Sequence, residues 1–225
     1  MTAHGPFDFS AAMTRLCEDI VGRVETFRHI RMSEVLVSFA QARRRVPHGL
    51  QAKLTPMRFE NGRLTTVRGG RTWTVQRLFV PDHQDASRRN PVGYTHETDQ
   101  HETDEIHRGQ REILYILTFY LPRFLDHCFR EKMITVFHEL YHISPLFDGD
   151  IRRMGGRCHV HTHSQKEYDR QMGVLVDEYL ARGTPEDRFP FLKKRFQNLQ
   201  FEHGGVVGVQ VPIPKLIPMP EARSA

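Results

Sequence analysis

Residues 133–145 read MITVFHELYHISP, and no other stretch restricts the fold as strongly. Met133, Ile134, Val136, Phe137, Leu140 and Ile143 surround His138, Glu139 and His142, so a helix here is buried yet carries three polar side chains. An unpaired buried charge is costly and normally stays out of a core or finds a partner. Residues four apart in an α-helix lie on one face, a turn above each other, so His138 and His142 can aim at a single metal ion. Glu139 sits about 100° further round the axis, badly placed to bind the same ion and well placed to take a proton from a water beside it. The pattern is H-E-x-x-H, two imidazole ligands and a general base on one helix. Hydrogen-bonded core histidines are the plainer alternative, but they fit a lone histidine better than two spaced around a glutamate.

A catalytic zinc takes three protein ligands and keeps one position open. The third must come from beyond His142. The metzincin pattern needs a glycine three residues after the second histidine and a histidine six after; Pro145 and Asp148 stand there instead. Glu167 and Glu178 on the following helix are candidates. CHVHTHS (158–164) is the more economical source, since His159, His161 and His163 share a face if the segment is extended. His163 is favoured because it immediately precedes a capped helix; His161 is the reserve and His159 a neighbour without a ligand role. The capping box is SQKE, in which Ser164 covers the Glu167 amide and Glu167 reaches back. Asp148 and Asp150 are candidate acceptors for a ligand imidazole, or else turn formers around Gly149. Tyr168, Arg152, Arg153 and Tyr179 are candidate donors to an oxyanion.

Two motifs together, HELYH at 138–142 and HSQKEY at 163–168, resemble the zincins of the SprT-like and phage metallopeptidase families. Those families carry an H-E-x-x-H helix, a loop, and a histidine opening a second helix, with an acidic residue and an aromatic shortly after. Glu167 and Tyr168 stand at those positions. The resemblance covers roughly residues 112–182. It implies Zn2+ held by His138, His142 and His163, Glu139 as catalytic base, and a protein or peptide substrate. It also implies an α+β fold: a single zincin-like domain, with a small mainly antiparallel sheet packed on the active-site helix and flanking helices. The stretch between the second and third ligands is long and no cysteine-rich zinc ribbon follows, so a DNA-repair role does not carry over.

The rest of the chain reads as one domain over 1–225. Apolar residues at helical spacing from Met13 to Phe27 predict an N-terminal helix over 10–28 with Ser10 as N-cap. Residues 33–80 form a β-rich part: strands at 33–39 and about 52–59, turns at Asn61-Gly62 and Gly69-Gly70, and a hairpin around the second. Residues 81–109 are polar, almost without aliphatics, and include HETDQ followed by HETDE; they read as a mobile surface loop. Residues 112–183 form the metal-binding core. It comprises a buried strand over 112–121, the H-E-x-x-H helix ending at Ser144, and a helix from Ser164 to Gly183. LQFEHGGVVGVQV suggests a terminal hairpin, and the Pro-rich tail over 212–225 runs along the surface.

Composition bounds the function classes. No run of about 18 apolar residues exists, so no membrane helix is expected. The first residues lack a basic stretch before an apolar core, so no secretory signal is expected. Three scattered cysteines without a CxxC pair point to a reducing compartment, the cytoplasm. The net charge of +5 comes in clusters at 43–45, 88–89, 152–153 and 193–195. These can draw nucleic acid or an acidic partner, although a solvated basic surface accounts for them as well. The function expected is zinc-dependent peptide hydrolysis. The alternatives are a nucleic-acid- or partner-binding module with a closed structural metal site, and a metal-dependent amidohydrolase acting on a small or cell-wall substrate.

Overall fold

The computed structural model describes residues 5–42, 49–81, 93–95, 109–153, 165–183 and 188–220, with backbone alone at 93–95 and 165–169. The architecture is α+β. At its centre lies a three-stranded sheet in the order β2 (Val35–Gln41), β9 (Tyr115–Leu121), β3 (Ala52–Pro56). β2 runs parallel to β9, pairing Val35 with Tyr115 through Gln41 with Leu121. β3 runs antiparallel to β9, pairing Ala52 with Phe119 and Leu54 with Leu117. Side chains alternate between faces along a strand. Val35, Val37, Ala52, Leu54, Tyr115, Leu117 and Phe119 therefore share one face, and all are buried in the main core.

Three helices close that face. α1 (Phe9–Arg23) contributes Phe9, Met13, Leu16, Cys17 and Ile20, each fully buried. α3 (Phe129–Tyr141) contributes Met133, Val136, Phe137 and Leu140. α4 (Gln165–Ala181) contributes Met172, Val176 and Tyr179. The short helix α2 (Arg123–Asp126) buries Phe124 and Leu125, with the Phe124 ring 4.6 Å from Phe119. Burial of this much apolar surface is the main stabilising term, roughly 25 cal/mol per Å² removed from water.

The opposite face, with Leu36 and Ile116, packs on a second small core of Met57, Leu78, Val80 and Ile113. These come largely from a sheet in the order β7 (Gly93–Thr95), β6 (Arg77–Pro81), β8 (Gln110–Ile113), antiparallel throughout. Thus the single strand expected over 112–121 is two strands in two sheets. They break at Leu114, whose N–H goes to Glu34 and whose carbonyl accepts from Met57. Likewise the segment 81–109 is not all loop, since Gly93–Thr95 pairs with β6; residues 82–92 and 96–108 lie outside the described residues.

The hairpin β4 (Thr65–Arg68) and β5 (Arg71–Val75) forms as expected. Gly69 and Gly70 have φ of +59° and +73°, the left-handed backbone that a two-residue hairpin turn requires. The C-terminal hairpin does not form. Phe196–His203 is a helix, α5, ended by Gly204 at φ +69°. Val206–Val207 (β10) pairs in parallel with Phe7–Asp8 (β1), and Leu216–Pro218 (β11) pairs antiparallel with β5. The cap of α1 also differs: Asp8 accepts the Ala11 N–H at 2.9 Å, while the Ser10 hydroxyl takes the Val209 N–H at 2.9 Å. Among the described residues no helix is long and apolar enough to cross a membrane.

Candidate metal centre

α3 starts from a capping box. Glu131 reaches back to the Cys128 N–H at 3.2 Å, and Cys128 receives the amide three residues on. Its helical geometry carries one residue past the regular hydrogen-bonded span. His142 has φ −69° and ψ −15°, and its N–H points at the carbonyls of His138 and Glu139 at 3.3 and 3.2 Å. The i, i+4 relation is thereby kept although the helix ends a turn earlier than Ser144. The His138 and His142 rings lie 4.7 Å apart at 72° to one another. Zinc–nitrogen bonds of about 2.1 Å meeting near the tetrahedral angle put two ring centroids about 5 Å apart, so the separation of this pair is compatible with one shared ion.

The loop after the helix fixes His142 from behind. Ile143 bridges Ile151, the Ser144 N–H reaches Asp150 O, and the Arg152 N–H reaches His142 O at 2.7 Å. Tyr115 holds the loop tip, its hydroxyl accepting from the Gly149 N–H at 3.0 Å and donating to Asp150 O at 2.9 Å. Gly149, at φ +84°, admits no side chain, because a Cβ would meet Arg58 at 2.5 Å. Asp148 and Asp150 are therefore turn formers. Asp148 accepts the Asp150 N–H, while Asp150 accepts the Ile151 N–H and pairs with Arg153.

Glu139 is 8% exposed and faces β3, where the Leu54 N–H donates to its Oε2 at 2.7 Å. Burial pushes this carboxyl up to about 7, with the Leu54 amide and the Lys53 charge pulling the other way. A carboxyl tuned near neutrality suits a group that must take a proton and return it. Sequence reasoning missed the Leu54 amide, since a backbone donor has no side-chain signature. The available signal was Pro56, because proline within a strand is confined to an edge.

Of the other site residues expected, His159, His161, His163 and Ser164 lie outside the described residues, as do the side chains of Glu167 and Tyr168. Glu178 is exposed on α4. Among the described residues no third histidine, cysteine or carboxylate joins His138 and His142 into a ligand set. Arg152, just before the stretch 154–164, bonds through its N–H to His142 O, and the middle and C-terminal part of α4 packs on α3 through the Arg130–Asp177 ion pair and the Phe137–Tyr179 ring contact.

The oxyanion candidates fare less well. Tyr179 is buried and donates to Asp19 Oδ2 at 2.7 Å, so it is turned into α1 rather than toward the imidazoles; burial and then Asp19 push its hydroxyl pKa upward. Arg152 Nε donates to Tyr141 O at 2.6 Å with its guanidinium stacked 4.1 Å over the Tyr141 ring. Arg153 pairs with Asp150 and Glu60. This basic cluster is thus engaged within the fold, and residues 43–45 and 88–89 lie outside the described residues. Comparison with protein-family models, curated proteins and solved structures finds no match.

Proposed function

We propose that this chain is a zinc-dependent metallopeptidase of the kind that the HELYH and HSQKEY motifs resemble, with His138, His142 and His163 as metal ligands and Glu139 as general base. The observation that carries the reading is the meeting of the two imidazoles at 4.7 Å beside a buried carboxylate whose pKa lies near 7. A zinc ion at this place would supply Lewis acidity to a water and to the carbonyl under attack. Glu139 takes the proton of the attacking water on its carboxylate and passes it to the departing amine. β3 supplies the surface for the substrate. Among the described residues it is an edge strand, with the Leu54 N–H turned to Glu139, so an extended peptide can add to the sheet beside the base.

Metal analysis of the purified chain should find about one zinc per molecule, the number expected for a single three-ligand site. His138→Ala and His142→Ala should each lose it. Glu139→Gln should keep the metal and lose casein hydrolysis by at least about a hundredfold, the usual weight of a general base. Loss of metal in Glu139→Gln would refute the base assignment. Full retention of zinc with no hydrolysis by the wild-type chain would favour a structural metal, and cleavage of small amides alone would favour an amidohydrolase.

A further inference from the structure

The central sheet has two unlike edges. On the β2 side the Phe39 N–H is taken by Val209 O at 2.9 Å, so the C-terminal segment covers that edge. On the β3 side no strand pairs among the described residues. The Tyr120 N–H donates to Gln51 O and the Met57 N–H to Leu114 O, so alternate residues of β3 from Gln51 to Met57 bond to β9. By the alternation of an antiparallel ladder, the backbone groups of Ala52, Leu54 and Pro56 face away from β9. Pro56 has no N–H to offer. The outward donors of this edge are therefore Ala52 and Leu54, and the Leu54 N–H is already spent on Glu139 Oε2.

A peptide strand pairing with β3 must place a carbonyl oxygen where Glu139 Oε2 now sits, because one N–H cannot serve both well. We infer that the Glu139–Leu54 hydrogen bond is a latch opened by the backbone of an extended polypeptide, which frees the carboxylate only once that strand has docked. Leu54 is then a positioning residue acting through its main chain. The substrate class narrows to unfolded or extended polypeptide, and small amides that cannot reach Leu54 leave the latch shut. This rests on the peptidase reading above and adds to it the order of events, docking first and base release second.

The test uses the full chain, stripped of metal with a chelator, so that it does not depend on hydrolysis. The probes are oxidised insulin B chain as an unstructured polypeptide and alanyl-leucine as a dipeptide. In the free protein the Leu54 amide should be strongly protected from hydrogen exchange, and Glu139→Ala should abolish that protection. The B chain should shift the Leu54 amide resonance and bind Glu139→Ala roughly tenfold more tightly than wild type, the fold-change expected when a charge-assisted competitor is removed. Glu139→Gln keeps an acceptor oxygen and should stay within a few-fold of wild type. The dipeptide should leave the Leu54 resonance unmoved. An unmoved Leu54 amide at saturating B chain, failure of the B chain to bind, or equal or weaker binding to Glu139→Ala would overturn the latch. Should Glu139→Ala not fold, the wild-type resonance alone decides. Absence of zinc from the native protein would instead count against the peptidase reading and leave the latch measurements as they stand.

Discussion

Glu139 is held where its own charge is unwelcome. In the unfolded chain its carboxyl titrates near the ordinary 4.5, and in the fold near 7. Below about pH 4.5 both states are protonated and the residue contributes nothing to pH dependence. Between the two values the folded protein holds the proton more tightly than the unfolded chain, so stability falls as pH rises. Above pH 7 the destabilisation is fully present, of the order of 3 kcal/mol at about 1.4 kcal/mol per pH unit. Glu139→Gln removes it. In chelator, thermal melts of Glu139→Gln should therefore exceed wild type at pH 8 by several degrees and coincide with it at pH 4. Equal melting at both pH values would mean that the carboxylate is better solvated than its burial indicates. A bound cation should shrink the pH 8 difference, because its charge stabilises the ionised carboxylate.

At the scale of elements, α3 is anchored by polar contacts to two different segments. Thr135 donates to Gln51 Oε1 at 3.0 Å, tying the helix to the start of β3. Lys132, only 1% exposed, donates from Nζ to the carbonyls of Leu192 and Lys194, both at 2.8 Å. Burial lowers its pKa, and the two carbonyls satisfy the ammonium that remains. Lys132→Met keeps the stem and removes both donors, leaving two carbonyls near the core unsatisfied. It should cost about 1–3 kcal/mol in urea unfolding and speed hydrogen exchange in residues 190–195. An unchanged midpoint would mean that water replaces the ammonium. Lys132 illustrates what periodicity leaves out, for a lysine in a helix reads as surface until the segment that folds over it is known. α3 itself was legible, since its apolar spacing and the H-E-x-x-H pattern are both local. The hairpin at Gly69-Gly70 was legible for the same reason. The α1 cap is Asp8 rather than Ser10, because the helix already begins at Phe9, and the Ser10 hydroxyl instead accepts the N–H of a tail residue, Val209.

At the scale of the molecule, the ends of the chain close the fold. The Phe7 N–H meets Gly205 O at 2.9 Å, β1 pairs with β10, Phe39 bonds to Val209, and β11 completes the β4–β5 sheet. These contacts join residues far apart in sequence, which is why GGVVGVQV read as a local hairpin when its partner lay at the other end of the chain. Ending the protein after Gly204 removes them together. It should lower stability by a few kcal/mol at roughly 1 kcal/mol per lost hydrogen bond. It should also expose the β2 edge, so that light scattering detects self-association through strand pairing. A truncated chain as stable and as monomeric as the full one would show that the C-terminal segment is not part of the cooperative unit. The candidate metal site is legible in a complementary way. The two imidazoles and the buried carboxylate follow from a five-residue motif, whereas the Leu54 amide that meets Glu139 depends on how β3 registers against β9.

The proposed function requires one ion shared by His138 and His142. Anomalous diffraction at the zinc edge, from crystals grown with zinc, addresses it most directly. The expected map has one peak bonded to an imidazole nitrogen of each of those residues, at about 2.1 Å, with a third protein ligand from the 159–163 segment and one open position beside Glu139. No peak between the two rings after soaking, or a peak closed off by four protein ligands, would contradict it.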